Sequence, residues 1–154
     1  MPTHFQGTPA EVRALDAYIK LVRAAGSVTS AALDRTGLAG AGLTEGQFGV
    51  LEALHHLGPL HQCDLARKHL LSGGNMTMIV DNLEKRGLVR RERSKEDRRF
   101  VQVLLTPSGR RLIRKVFPRH AATLAEMLGA LSASEQEQLG RLCRKLGLAH
   151  RSSV

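Results

Sequence analysis

The sequence predicts a mainly α-helical fold carrying one β-hairpin, within a single domain spanning all 154 residues. Three observations predict it. Helix-start signals recur along the chain, apolar residues keep spacings of three and four after each of them, and one stretch alone switches to period two. With 42% apolar residues the chain can build a core. No run approaches the roughly 18–20 uncharged apolar residues that span a bilayer, so no membrane association is expected. The start, Met1-Pro2-Thr3-His4-Phe5, lacks a basic region followed by an apolar run, so a secretory signal is not expected either. Two cysteines, Cys63 and Cys143, are too few for a disulfide scaffold, which favours a reduced cytoplasm.

The elements follow in order. Thr8-Pro9-Ala10-Glu11 joins an N-cap threonine, proline at the first helical position and a glutamate able to bond back to the cap. Val12, Leu15, Ile19, Val22, Ala25 and Val28 then share one face, predicting a long first helix over about 9–36 that stops among Gly37, Gly40 and Gly42. Thr44-Glu45-Gly46-Gln47 is a second capping box, with Phe48, Leu51, Leu54 and Leu57 inward and Gly58-Pro59 as the stop. A short third helix is expected over roughly 62–70, with Leu65, Ala66 and His69 or Leu70 inward. Ser72 caps a fourth over about 73–86, whose buried stripe is Met76, Ile79, Val80 and Leu83, and Gly87 suits a left-handed C-cap.

At Leu88 the period changes. Leu88–Arg93 and Phe100–Leu105 read as strands around the polar turn Ser94-Lys95-Glu96-Asp97. Thr106-Pro107 restarts a helix that runs to about Gly129, with a kink or break expected near Phe117 because Pro118 lies inside it. Ser132-Ala133-Ser134-Glu135 caps the last helix, where Leu139, Leu142, Cys143 and Leu146 share a face.

Charge narrows the function. Lys+Arg number 23 against 14 Asp+Glu, a net +9. Between Lys85 and Arg119 there are 13 basic and 3 acidic residues, a local +10, while the other 119 residues carry −1. A footprint so concentrated points to a polyanion, and the 3% aromatic content argues against single-strand binding by base stacking. Two short helices joined by a tight turn, the second followed by a basic hairpin, form a winged helix-turn-helix. The fourth helix then enters the major groove as reader, and the hairpin over about 88–105 reaches the backbone or minor groove as wing. Major-groove candidates are Ser72, Gly74, Asn75, Thr77, Met78 and Asp81. Asn75 can bond adenine in bidentate fashion, and Thr77 or Met78 can meet a thymine methyl, although Thr77 can equally cap or pack locally. Wing and backbone candidates are Arg90, Arg91, Arg93, Lys95, Asp97, Arg98 and Arg99. Arg110, Arg111, Arg114 and Lys115 either touch phosphates or line an exposed helix face.

The segment Asn82-Leu83-Glu84-Lys85-Arg86-Gly87-Leu88-Val89-Arg90-Arg91, then Glu96-Asp97-Arg98-Arg99 and Leu105-Thr106-Pro107-Ser108-Gly109, resembles in order and spacing the reader-helix end, wing and wing exit of the MarR-type bacterial transcriptional regulators. With the helix layout, the resemblance covers nearly the whole chain. It implies a homodimer whose subunits interlock through helical segments 8–38 and 107–150, with 44–106 as the winged region reading a palindromic operator on duplex DNA. It implies a repressor released by a small-molecule, often phenolic, or oxidant signal. It also makes Arg99 the minor-groove contact and Asp97 the partner that orients it. Met78 departs from the family's common polar or basic base-reading side chain, which leaves the operator sequence open. The reader helix and Leu142-Cys143-Arg144-Lys145-Leu146-Gly147 are further similar to members that respond to quinones and other aromatics. A small aromatic effector would then sit between the first, second and fifth helices, with Leu15, Tyr18, Ile19, Phe48, Leu51, His55 and Phe117 as lining.

Other readings stay in view. A nonspecific architectural DNA binder shares the charge. His55, His56, His61, Cys63 and His69 crowd together, but no spacing among them forms a recognised ligand set, and no metal or cofactor is expected. Cys63, near a helix start, is a redox candidate; Cys143 suits packing or a dimer interface. There is no phosphate loop, nucleophile elbow or carboxylate pair with a plausible partner, so an enzyme is not expected.

Overall fold

The computed structural model describes residues 4–69 and 73–150; Leu70 and Ser72, expected as core and cap, lie outside the described residues. In chain order the elements are α1 (Pro9–Arg35), a 3-10 turn (Ala39–Ala41), α2 (Glu45–Leu57), β1 (Leu60–His61), α3 (Gln62–Lys68), α4 (Gly73–Lys85), β2 (Val89–Arg93), β3 (Val101–Leu105), α5 (Pro107–Leu128) and α6 (Ala133–Ala149). Capping chemistry sets the starts. The Thr8 hydroxyl accepts from the Glu11 N–H while the Glu11 carboxylate accepts from the Thr8 N–H, and Thr44 with Gln47 and Ser132 with Glu135 repeat the arrangement. Backbone N–H bonds, then the hydroxyls, hold both Glu11 and Glu135 below the ordinary carboxylate range.

The core lies between α2, α3, α4, the sheet and the first half of α5. Leu51, Leu65, Met76, Leu83, Val80, Val103 and Ile113 are fully buried there. Leu57, expected inward, is 56% exposed. Leu57 points within about 20° of the fully buried Val50, seven residues earlier, so its exposure comes from its place as the last residue of α2 and not from its facing. In α5 the expected break is absent: the helix runs through Pro118 to Leu128. Ile113 and Val116 before the proline and Thr123 after it are all buried, so packing on both sides holds the helix together despite the missing N–H.

The sheet has a strand that period-two reading could not reveal. Among the described residues it is three-stranded and antiparallel in the order β1-β3-β2, with Leu60 opposite Val103 and Arg91 opposite Val103 from the other side. Two residues between Pro59 and a helix start are too few to show alternation.

One small knot closes the hairpin onto the helical body. Gly87 takes φ +68° after α4, and its carbonyl accepts from the Thr106 hydroxyl at 2.6 Å, which in turn accepts from the Gly109 N–H at 3.1 Å. Gly109 packs so tightly that a Cβ there would stand 1.9 Å from the Leu88 carbonyl oxygen. The oxygen is backbone and the added Cβ is fixed directly to backbone, so neither can yield. Gly109→Ala is expected to lower stability by about 1–3 kcal/mol, read from thermal or denaturant unfolding, through forced overpacking.

Candidate nucleic-acid interface

The exposed face of α4 carries Asn75, Thr77, Met78 and Asp81, while Met76, Val80 and Leu83 turn into the core. Met78 is 67% exposed, unusual for so apolar a side chain, and free to meet an apolar group such as a base methyl. The Thr77 hydroxyl accepts from the Gln62 amide of α3 at 2.8 Å, which fixes α4 against the start of α3. Gly74 sits in the first turn of α4.

Arg91 is placed differently from its expectation as a wing contact. Its guanidinium turns inward from β2 onto α4, with its side chain only 22% exposed, and meets Asp81 at 2.7 Å and Glu84 at 3.0 Å. It also donates to the Gln62 carbonyl oxygen at 3.1 Å and to the Thr77 backbone carbonyl at 3.4 Å. Its charge is neutralised inside the protein, and Asp81, expected at the major groove, is engaged with it. Asp81 and Glu84, three residues apart on one helix face, face a basic strand; that spacing was the signal available in the sequence. Arg86 is likewise internal in role. It donates to the Gly42 carbonyl at 2.7 Å and approaches Gln47, whose amide donates to Asn82 at 2.8 Å, so the end of α4 is tied to the loop before α2.

At the far end of the hairpin the loop is ordered by Ser94, 2% exposed, whose hydroxyl accepts from the Glu96 and Asp97 N–H groups. Asp97 accepts from the Arg99 N–H at 3.0 Å and takes the Arg99 guanidinium in a fork at 2.7–3.1 Å. The Arg99 side-chain bond, then the Arg99 backbone bond, hold Asp97 below the ordinary carboxylate range, and the same pairing raises Arg99. The Arg99 side chain nonetheless stays 86% exposed. A planar, always-charged fork is thus pre-oriented and presented to solvent. Arg93, Lys95 and Arg98 surround a concavity of about 400 Å³ beside Ser94, and among the described residues no carboxylate pairs with these three. Arg90 pairs with Glu92 at 2.9 Å. The Phe100 ring packs on His61, 5.3 Å between centroids, joining the wing to the turn before α3.

Between α1, α2 and α5 lies a largely apolar pocket of about 170 Å³, lined by Val28, Thr29, Ala32, Leu33, Leu38, Glu45, Phe48, His120 and Leu124. It shares only Phe48 with the expected lining. Leu51 is fully buried in the core, and His55 and Phe117 stand next to one another, 6.5 Å between rings, outside the pocket wall. Leu15, Tyr18 and Ile19 lie further back on α1: nine residues separate Ile19 from Val28, about 13 Å of helix. A continuous stripe on a long helix does not say which of its turns meets the body. His120, which the sequence did not single out, stacks on Phe48 at 4.5 Å and keeps a buried Nδ1 with no hydrogen-bond partner in the structure. Burial, then His56, Arg114 and Arg110, hold His55 below its ordinary value.

Among the described residues no three His, Cys, Asp or Glu side chains come together to hold a metal, which leaves the histidine cluster without a chelating geometry. Cys63 and Cys143 are both exposed free thiols. No helix among the described residues is long and apolar enough to cross a membrane.

Comparison with known proteins gives the family of the fold. The sequence model of the MarR family matches residues 43–101, which are α2 through the start of β3. The chain is 35% identical to the HTH-type transcriptional regulator YkoM of Bacillus subtilis over 136 residues, covering 88% of this chain and 87% of that protein. Among solved structures it is similar to Sco3205, a MarR family transcriptional regulator from Streptomyces coelicolor in complex with DNA, with TM-score 0.80, 25% identity, and coverage of 97% of this chain and 94% of that one. It is also similar to NadR in complex with 4-hydroxyphenylacetate, with TM-score 0.75, 25% identity, and coverage of 95% and 97%. YkoM and Sco3205 are transcriptional regulators rather than enzymes. By fold, site geometry and sequence, the chain belongs to the MarR family of winged helix-turn-helix transcriptional regulators that bind DNA.

Proposed function

We propose that the protein is a homodimeric, cytoplasmic repressor that reads a palindromic operator on duplex DNA and is released by a small aromatic ligand or an oxidant. The observation that carries this reading is the pairing of an exposed α4 face with a solvent-presented Arg99 fork on the same rigid body. Asn75, Thr77 and Met78 face the major groove. Arg99, oriented by Asp97, enters the neighbouring minor groove, and Arg93, Lys95 and Arg98 hold the backbone on either side. Arg91 and Asp81 act instead as the strut that fixes wing to reader.

Two subunits are needed to place two readers about one helical turn, roughly 34 Å, apart. Segments 8–38 and 107–150 supply the dimer. The exposed apolar residues support this: Tyr18 and Val22 on α1, and Leu139, Leu142, Leu146 and Leu148 on α6, are each 42–62% exposed in the single chain. The pocket beside Phe48 and His120 is the effector site. Its apolar walls fit an aromatic ring, with His120 and Glu45 among its polar lining side chains. NadR, a structural neighbour, binds 4-hydroxyphenylacetate.

Footprinting across the protein's own upstream region tests the reading. Two protected major-groove patches about one turn apart, lost on adding a phenolic or quinone from a small panel, are the expected result; uniform protection along the duplex would point to an architectural binder. Arg99→Ala is expected to weaken operator binding about tenfold, within the roughly 1–3 kcal/mol of a specific arginine contact, while unfolding and dimerisation are unchanged. Gel-shift titration and a thermal melt on the same preparation check both halves.

A further inference from the structure

A second basic cleft lies at the base of the wing, remote from its tip. Arg90 of β2 and Arg110, Arg111 and Arg114 of α5 line a concavity of about 480 Å³ with Leu105 and Pro107. Among the described residues no carboxylate pairs with Arg110, Arg111 or Arg114, and Arg111 donates only to the Ser108 hydroxyl, at 3.0 Å. These three arginines occupy the first two turns of α5, whose first turn holds no acid. The guanidiniums repel one another. Three uncompensated charges gathered against their own repulsion suit an external anion.

Strand geometry says which way the cleft faces. Successive side chains alternate across a strand, and Arg91 grips α4, so Arg90 projects from the opposite face of β2, away from the reader helix. A duplex longer than the half-site would have to reach this side of the wing to meet the cleft. The cleft opens to solvent and is edged by four guanidiniums, which suits a chain of phosphates better than an enclosed apolar molecule.

Resting on the reading of the protein as an operator-binding dimer, we infer that Arg90, Arg110, Arg111 and Arg114 form a separate site for the phosphodiester backbone of duplex DNA flanking the operator. Each subunit thereby extends its grip outward past the wing. The contact is sequence-independent, so it raises affinity and salt dependence without altering which palindrome is chosen.

The test compares wild type with an Arg110→Gln/Arg114→Gln variant on two duplexes bearing the same central operator. One is about 20 bp, enough for both half-sites, and the other about 40 bp with scrambled flanks. Wild type is expected to bind the longer duplex about tenfold more tightly. Its log Kd should also depend on log salt more steeply by about 2–3, at roughly 0.9 per phosphate contact. The variant is expected to melt like wild type, to match it on the short duplex, and to gain nothing from the flanks. Equal wild-type affinity for both lengths overturns the inference, as does a variant that keeps the full gain. Calorimetric titration with inorganic tripolyphosphate is the second arm: saturable micromolar binding lost in the variant, without a flank effect, would make this a small-anion site and overturn the flanking-DNA assignment. Failure of wild type to prefer the short operator over a scrambled short duplex would instead bring down the operator reading beneath it.

Discussion

Leu142→Asp combined with Leu146→Asp on α6 is expected to leave a folded monomer that binds the operator about 10² to 10⁴ times more weakly. Both leucines are about half exposed in the single chain, 57% and 49%, and the described α6 packs little of its length against the body, so the substitutions remove no intrachain core. In a dimer the same faces would be buried, and two carboxylates placed there lack partners and cost far more than the lost apolar area. The loss of affinity comes from geometry. With one half-site engaged, the second reader acts at an effective concentration set by the dimer, and separating the subunits removes that gain without touching a base contact. Sedimentation equilibrium and a gel shift on the same sample check it. A monomeric variant with unchanged operator affinity would show that one wing and reader suffice.

Arg91→Ala carries the second large effect. The guanidinium joins β2 to α4 through Asp81, Glu84 and the Thr77 carbonyl, and to α3 through the Gln62 side-chain oxygen, all within 3.4 Å. Removing it leaves Asp81 without its cation and Glu84 with only the backbone N–H of position 91, on the helix that is to meet a polyanion. Charge-assisted hydrogen bonds contribute about 1.5–3 kcal/mol each where buried; with Asp81 and Glu84 roughly half exposed, a stability loss of about 1–2 kcal/mol is expected overall. Operator affinity is expected to fall at least tenfold, because the wing loses its fixed angle to the reader and Asp81 regains its repulsion. Chemical denaturation together with the binding titration distinguishes this strut from a direct DNA contact. Lost affinity with unchanged stability would mean that Arg91 acts on the nucleic acid itself.

Most of the fold was legible because its determinants are local. Thr8 with Glu11, Thr44 with Gln47 and Ser132 with Glu135 announce helix starts by residues three apart, and the Met76, Val80, Leu83 stripe announces the buried side of α4. What sequence could not show depends on partners distant along the chain. The two residues of β1 become a strand only because β3 lies beside them. Arg91 reads as one more basic wing residue until Asp81 and Glu84 are seen to face it, and Arg86 likewise until the Gly42 carbonyl is seen within 2.7 Å. The pocket shows the same limit. Phe48 was foreseen from its position on α2, but the turn of α1 that completes the wall begins at Val28, and the one buried residue of α1 is Ala32, in its C-terminal part. The positive segment from Lys85 to Arg119 is therefore heterogeneous: Arg86 and Arg91 brace the reader, Arg99 is aimed by Asp97, and the arginines of early α5 stay uncompensated.

The most direct test of the central claim is a competition titration at fixed, near-physiological salt, pairing the footprinted palindrome with a scrambled duplex of equal length and composition. A sequence-specific dimer reading through α4 and the wing is expected to prefer the palindrome by about 10³-fold or more. Equal affinity for the two duplexes would contradict it and leave only a basic protein that binds DNA by charge.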